Sequence, residues 1–366
     1  MRILFVVTRG DAIGGAQIHV KDLAVQLRQR GHTVLVASGA GEAFQQLLAQ
    51  QGIPHQVLPS LVRPVHPWQD GWAYWALQGL LKSWQPDLVS IHSSKAGVLA
   101  RLACYRRGIP FVFTVHGWSF AAPSRWAGVY RILERRLAAI TPKIICVAAA
   151  ICKQGLAIGI PPTKLVTIYN AMPDIQPELR AQPGRGTPVR IITVGRLEPQ
   201  KAHADLLRAV AQLPDKTVRV EVVGDGPLRP QLEHLAQALG LQERVTFWGY
   251  RTDVARLLAQ AHIFALISHW EAFPRSTLEA MRAGLPVVVS AVGGAAEAVV
   301  PGVTGYVIPP GDQEQLVRCL QRLVQDPQHR QHLGAAGRRR YETHFTFGRL
   351  LQETLAVYRE VTGITP

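Results

Sequence analysis

"MPDIQPELRAQPGRGTPV", residues 172–189, is rich in Pro, Gly and Arg, and it interrupts a rhythm that runs through the rest of the chain. Before it, short β-branched or aromatic runs alternate with helical stretches: "ILFVVT" (3–8), "HTVLVAS" (32–38), "HQVLP" (55–59), "DLVSIH" (87–92), "FVFTVHG" (111–117), "KIICVA" (143–148) and "KLVTIYN" (164–170). After it the alternation restarts with "RIITVGR" (190–196), "RVEVVGDG" (219–226), "RVTFWGY" (244–250), "IFALIS" (263–268), "PVVVSAVGG" (286–294) and "GYVIP" (305–309). Strand alternating with helix is the pattern of a parallel sheet wound by helices. The interruption, 173–188, is therefore read as a linker between two doubly wound domains of residues 1–172 and 189–345. Ligands of such folds bind beyond the carboxyl ends of the strands, and a cleft between two facing domains would collect both sets. The last segment, "FGRLLQETLAVYREV" (347–361), is amphipathic; a helix over 346–366 can close either domain, including by a return to the first.

At 366 residues and 48% apolar, the chain is long enough for two cores. Its four cysteines, Cys104, Cys146, Cys152 and Cys319, show no C-x-x-C spacing, which suits buried thiols in a reducing compartment. "MRILFVVTRG" carries one positive residue ahead of a short apolar run, and reads as a strand, not as a signal peptide. No window approaches the ~20 apolar residues of a membrane span; the longest run, "IICVAAAIC" (144–152), reads as a buried strand and its exit. The expectation is a cytoplasmic protein.

The formal charge of +15 is uneven: residues 1–172 carry 18 Lys/Arg against 6 Asp/Glu, and residues 173–366 carry 22 against 19. The first half seeks an anionic partner. Nucleic acid is the usual reading of such a balance, but no zinc-finger spacing, RNP-like motif or basic tail accompanies it, so no nucleic acid is expected. A phosphorylated substrate or an anionic membrane surface fits better. Two segments combine aromatics with cations: "RPVHPWQDGWAYWALQGLLKSW" (63–84) and "SRWAGVYRILERRLAAITPK" (124–143). Trp68, Trp72 and Trp75 would form one helical stripe, either packed in the core or facing a membrane. Trp118, Arg125, Arg131, Arg135 and Arg136 are the candidates for an acceptor or membrane surface.

"SHWEAFPRSTLEA" (268–280) sets Glu271 and Glu279 eight positions apart. A glycosidase pair needs carboxyls roughly 5–10 Å apart, whereas eight residues on one helix span about 12 Å of rise, so a single helix cannot hold such a pair; Glu271 is placed on the entry loop and Glu279 inside the first turns. Pro274 suits the first turn of a helix, whose N–H groups and positive dipole end favour a phosphate. In "VGRLEPQK" (194–201) a strand ends at Gly195, and Arg196 and Lys201 either clamp a diphosphate or stand as solvated loop cations. "VVGDGP" (222–227), with Gly224, is either a helix-start anion turn or a plain left-handed turn. His116 closes a strand and either bonds a sugar hydroxyl or is structurally satisfied. No D-x-D metal motif, G-x-S-x-G elbow or Walker loop is present.

In chain order, "GGA" (14–16), "TVHGWSF", "YNAM", "VGRLEPQK", "VGDGP", "GY" (249–250), "EAFPRSTLEA" and "GG" with Glu297 resemble the retaining glycosyltransferases of family 4, enzymes of the α/β GT-B fold with two Rossmann-like domains facing across a cleft. The resemblance implies that the first domain receives a glycan or lipid-linked acceptor and the second a nucleotide sugar donor. By it, Arg196 and Lys201 bind the diphosphate, Glu271 with the Ala272, Phe273 and Pro274 backbone the donor sugar, Glu279 the ribose, and Tyr250 and Arg251 the base. Gly15 approaches the phosphate or the acceptor, His116 takes the hydroxymethyl side of the sugar, and Gly195, Gly224, Thr277 and Leu278 complete the donor set. Glu271, His116, Arg196 and Lys201 are the implied catalytic residues. The family's reaction is front-face transfer with retained configuration, and neither metal nor cofactor is expected. A hexose carried on UDP, passed into bacterial surface polysaccharide at the inner face of the plasma membrane, is the default substrate reading. The alternatives are a GT-B nucleotide sugar epimerase or a non-catalytic sugar-nucleotide or glycan-binding protein. Ala272 and Ala171 stand where the family often has glycine, and "KAH" (201–203) where Lys-Gly is usual.

Overall fold

Strands buried on both faces read as unbroken apolar runs, and Ile3 to Val7 are all fully buried at the middle of such a sheet. The computed structural model describes residues 1–11, 13–121 and 124–364. It divides into a first unit, Met1–Asn170 with Gly348–Pro366, and a second, Ala171–Phe347.

The first unit runs β1 (Arg2–Val7), α1 (Gly15–Gln29), β2 (Thr33–Ser38), α2 (Glu42–Ala49), β3 (His55–Val57), α3 (Pro67–Trp84), β4 (Leu88–His92), α4 (Ser94–Arg107), β5 (Phe111–Val115), α5 (Ala127–Ile140), β6 (Lys143–Cys146), α6 (Ala149–Ala157) and β7 (Leu165–Thr167). Its seven-stranded sheet has the order β3-β2-β1-β4-β5-β6-β7, and every pairing is parallel. Right-handed crossovers place α1 and α2 on one face and α3 to α6 on the other; α3 packs on α4 and α4 on α5. The order reverses between β1 and β4, the switch point at which doubly wound folds bind ligands.

The second unit runs β8 (Arg190–Val194), α7 (His203–Gln212), β9 (Arg219–Val223), α8 (Arg229–Ala238), β10 (Val245–Gly249), α9 (Val254–Gln260), β11 (Ile263–Leu266), α10 (Arg275–Ala283), β12 (Val287–Ser290), α11 (Gly293–Ala298), β13 (Gly305–Ile308), α12 (Gln313–Gln325) and α13 (Pro327–His344). Its six-stranded parallel sheet has the order β10-β9-β8-β11-β12-β13, with the switch between β8 and β11.

Residues 173–188, expected as a linker, are packed into the second unit. The fully buried Arg330 donates to the Pro183 carbonyl at 2.6 Å, Arg338 holds both carboxylate oxygens of Asp174, and the Ala181 amide donates to Ala283 at 2.7 Å. The last helix, α14 (Phe347–Thr362), returns to the first unit. Tyr358 on it is fully buried and donates its O–H to Ser90 Oγ on β4 at 2.8 Å.

One ion pair is wholly buried in the first unit. Arg101 on α4 lies over the Phe113 ring at 4.1 Å, donates to the Gly97 carbonyl at 2.6 Å and bonds Glu134 on α5 at 2.7 Å. Removing one partner of such a pair strands the other charge. Glu134→Ala should lower the unfolding free energy by about 3–5 kcal/mol, read from urea denaturation; an unchanged midpoint would mean that Arg101 is satisfied without its carboxylate.

His203 opens α7 and is buried, with Nε2 3.4 Å from the Arg196 carbonyl. Burial pulls its pKa from 6.5 to about 4; the Arg196 contact opposes this and nearby Lys201 adds to it. Below about 6.5 the unfolded chain takes up a proton that the folded form refuses until about 4, so stability is lost as pH falls through that window. The melting temperature should drop between pH 7 and 4, and less steeply in His203→Gln; an equal slope would assign the loss to other groups.

Candidate functional site

At the β8/β11 switch the loops that leave the two strands meet. The loop after β8 forms a single 3₁₀ turn, Pro199–Lys201, followed by Ala202 at φ 45°. That left-handed conformation favours glycine, and alanine occupies it here. Lys201 Nζ lies 2.5 Å from Glu271 Oε1 on the loop after β11, and Ser268 Oγ donates to the same oxygen at 2.7 Å. Two further bonds lock the loops together: Gln200 Nε2 to the Trp270 carbonyl and the His269 amide to the Gln200 carbonyl, both 2.8 Å. Both side chains of the pair are largely buried. Among the described residues Glu271 Oε2 accepts no hydrogen bond, so that oxygen is open to a ligand hydroxyl. Arg196, on the same loop as Lys201, is half exposed and pairs with Glu198.

Glycine is required where these turns approach one another by backbone. Gly224 has φ 133°, and a Cβ on it would lie 2.0 Å from the Gly195 carbonyl oxygen. Positive φ and this close approach both require glycine at 224. A Cβ on Gly293 (φ 46°) would lie 1.9 Å from the Glu271 oxygen, and the Gly294 amide donates to the Ala272 carbonyl at 2.6 Å.

Helix α10 begins at Arg275 with Pro274 as its N-cap, one residue earlier than the expected first-turn position. The Phe273 side chain is buried against Phe345, and Thr277 and Leu278 are fully buried. The Phe273 and Leu278 side chains belong to the core, Thr277 Oγ1 is buried without a hydrogen-bond partner among the described residues, and the helix start offers its backbone N–H groups to a ligand. Glu279 sits half-buried one turn further on. After β10, Tyr250 is exposed, and Arg251 forks onto Asp253 at 2.8 and 2.7 Å with its guanidinium 5.4 Å from the Trp248 ring.

In the first unit Gly15 is the exposed first residue of α1, behind a cap in which the Gly14 amide donates to Gln17 Oε1 at 3.2 Å. His116, just past β5, is not alone. His92 Nδ1 at the end of β4 lies 3.0 Å from His116 Nε2, and His19 on α1 meets the His116 ring edge-on at 4.9 Å between centroids. A ring nitrogen of each falls within 4.8 Å of the others. Burial and the two neighbouring imidazoles hold the pKa of His92 well below the ordinary value, which disfavours its charged form. The sequence reading missed His19 and His92, although the signal existed: β4 and β5 are neighbours with His92 opposite Thr114, which brings the two strand-end histidines together.

Trp118, expected on the acceptor or membrane surface, is only 3% exposed. Its indole N–H donates to the Ile151 carbonyl at 2.8 Å and its ring stacks on Phe120, so it is a core residue. Trp68, Trp72 and Trp75, for which core packing was one reading, are 78, 69 and 70% exposed along one stripe of α3. Tyr105 on α4 and Trp126, Val129 and Ile132 at α5 are exposed as well. Arg125, Arg131, Arg135 and Arg136 are exposed among them, without ion pairs among the described residues. A hollow of about 570 Å³ beside α5 is lined by Phe120, Arg131, Ile132, Arg135, Gln154 and Ile158. No helix of the described residues is long and apolar enough to cross a membrane.

Residues 13–174 match the family model described as glycosyltransferase family 4, and residues 175–340 that of glycosyl transferases group 1. An Escherichia coli UDP-Gal:alpha-D-GlcNAc-diphosphoundecaprenol alpha-1,3-galactosyltransferase is 30% identical over 290 residues, covering 74% of each chain. A Mycobacterium tuberculosis glycogen synthase is 26% identical over 98% of this chain and 94% of its own. The crystal structure of Anabaena HepE in complex with UDP-glucose superposes with a TM-score of 0.85 at 27% identity, covering 98% of this chain and all of that one. With the two parallel doubly wound sheets and the loop geometry above, these matches show that the chain belongs to glycosyltransferase family 4, and that it is a glycosyltransferase of the GT-B fold.

Proposed function

We propose that the protein moves a hexose from UDP to a glycan or lipid-linked acceptor in surface polysaccharide synthesis, with retention of configuration and without a metal ion. The observation that carries this reading is Glu271: Lys201 and Ser268 both occupy Oε1, so Oε2 is turned over to a sugar hydroxyl. The UDP in the HepE complexes and the UDP-Gal named for the E. coli relative support the choice of nucleotide. The matched relatives are transferases, which favours transfer over epimerisation or a binding role.

In this reading the bond from the anomeric carbon to the diphosphate oxygen breaks, and its electron pair leaves with the diphosphate. The acceptor oxygen bonds to the same face of that carbon, and its proton passes to a leaving phosphate oxygen. Arg196, Lys201 and the N–H groups at the start of α10 meet the growing negative charge, in place of the divalent ion that a D-x-D motif would hold. Each such donor contributes about 3–4 kcal/mol to the transition state. Glu279 takes the ribose, Tyr250 and Arg251 the base, and His116 a hydroxyl of the sugar; Gly15 approaches the phosphate or the acceptor.

Glu271→Gln should lower turnover by about 10²–10³ and leave UDP affinity by calorimetry nearly unchanged, with wild-type turnover undiminished in EDTA. A fall in UDP affinity as large as the fall in turnover, or a loss in EDTA that Mg²⁺ or Mn²⁺ restores, would overturn the assignment.

The face built by α3, α4 and α5 fits peripheral attachment to an anionic membrane at the inner face of the plasma membrane. Exposed tryptophans supply apolar anchoring, and each Lys or Arg near an anionic surface adds about 1 kcal/mol. The protein should sediment with vesicles containing anionic lipid, release in high salt, and lose most binding when Arg131, Arg135 and Arg136 become Ser. Equal binding to neutral vesicles, or none to either, would refute the attachment.

A further inference from the structure

Behind His116 runs a chain of hydrogen bonds that the proposed function does not use. Tyr358, on the returning helix α14, donates to Ser90 Oγ at 2.8 Å; Ser90 Oγ lies 3.0 Å from His92 Nε2; and His92 Nδ1 lies 3.0 Å from His116 Nε2. Tyr358, Ser90 and His92 are all fully buried, so water is excluded from them. We propose that this chain runs in one direction and fixes His116 as the tautomer with its hydrogen on Nδ1, a neutral donor, which makes Ser90, His92 and Tyr358 positioning residues for the transfer reaction.

The direction follows from counting protons. Ser90 Oγ makes only these two hydrogen bonds among the described residues; it accepts from Tyr358, so His92 Nε2 is the acceptor left for its buried hydrogen, which would be costly to leave unpaired. A neutral imidazole that accepts at Nε2 carries its hydrogen on Nδ1, and here that nitrogen faces His116. His116 Nε2 must then accept, which leaves the hydrogen of neutral His116 on Nδ1. Reversing the His116 tautomer alone would point two N–H groups at each other across 3.0 Å; reversing His92 with it would make Ser90 Oγ accept from both neighbours and leave its own buried hydrogen without an acceptor among the described residues. The burial of Tyr358 holds its phenol protonated, with the pKa pushed up, so the source of the chain stays a donor at neutral pH. The His92 and His116 rings lie 5.3 Å apart at 27°, and His19 is in ring contact with both.

The inference rests on the proposed contact between His116 and the sugar only for its consequence in catalysis. The tautomer itself is read without substrate. In the full chain with ¹⁵N-labelled histidine rings, long-range ¹H–¹⁵N correlation should show His116 and His92 each with a hydrogen on Nδ1 and a bare Nε2. Ser90→Ala should bring in a second His116 pattern with the hydrogen on Nε2, and lower kcat about five- to tenfold, the scale of one lost hydrogen bond, without raising the KM for acceptor. Tyr358→Phe, which keeps the ring and removes the donor, should act in the same direction more weakly, and Ser90→Thr should restore the parent pattern and rate. A wild-type His116 with its hydrogen on Nε2, or a pattern that ignores Ser90→Ala, would overturn the chain. So would Zn²⁺ alone shifting the nitrogens of all three rings, which would make the cluster a metal site. A tautomer that responds to Ser90→Ala while kcat does not would leave the chain standing and remove His116 from the sugar.

Discussion

The second unit depends on backbone meeting backbone at the carboxyl ends of its strands. At Gly293 and Gly224 a single added methyl would fall within 2.0 Å of a carbonyl oxygen, on Glu271 and Gly195 respectively. At those distances no side chain can be accommodated by a rotamer change, so the turns after β8, β9, β11 and β12 are fixed to one another as one block. The salt bridge between Lys201 and Glu271 is a product of that block: two residues far apart in sequence meet at 2.5 Å because the strands that carry them are neighbours at the switch and their exits are pinned. Burial then keeps the pair in a medium where a carboxylate and an ammonium attract far more strongly than in water.

Much of this architecture was legible because parallel strands covered on both faces read as short, β-branched apolar runs bounded by turn residues and alternating with longer helical stretches. Val287 to Val289 and Ile3 to Val7 are apolar without a break and fully buried in the structure. The interruption at 172–189 marked where one sheet ends and the next begins, yet its composition hid that the segment is anchored. Arg330, Arg338 and His262, all remote in sequence, hold it by bonds to Pro183, Asp174 and Arg185, and no local pattern reports a partner that distant.

The tryptophans show where sequence stops informing. The spacing of Trp68, Trp72 and Trp75 places them on one side of a helix but says nothing about which side the sheet takes. That is settled by Ala73, Leu77 and Leu81, which are the buried apolar residues of α3. Trp118 sits in a basic, aromatic neighbourhood, and its single polar atom found a carbonyl inside. In the site, Glu271 and Lys201 were readable as chemistry-bearing residues at strand exits, but their contact was not. The same holds for the histidines: each strand end could be located, while Ser90 and Tyr358 became visible only once α14 was placed.

The return of α14 makes the first unit a body written in two separated passages of the gene. On a ribosome the seven strands emerge first, then the whole second unit, and only afterwards the helix that carries Leu350, Leu351, Leu355 and Tyr358, all buried. Until then the ground those side chains cover has no partner from α14. Any chain cut short after the second unit would lack the helix that completes the first, so the first unit is finished only by the last residues to be translated.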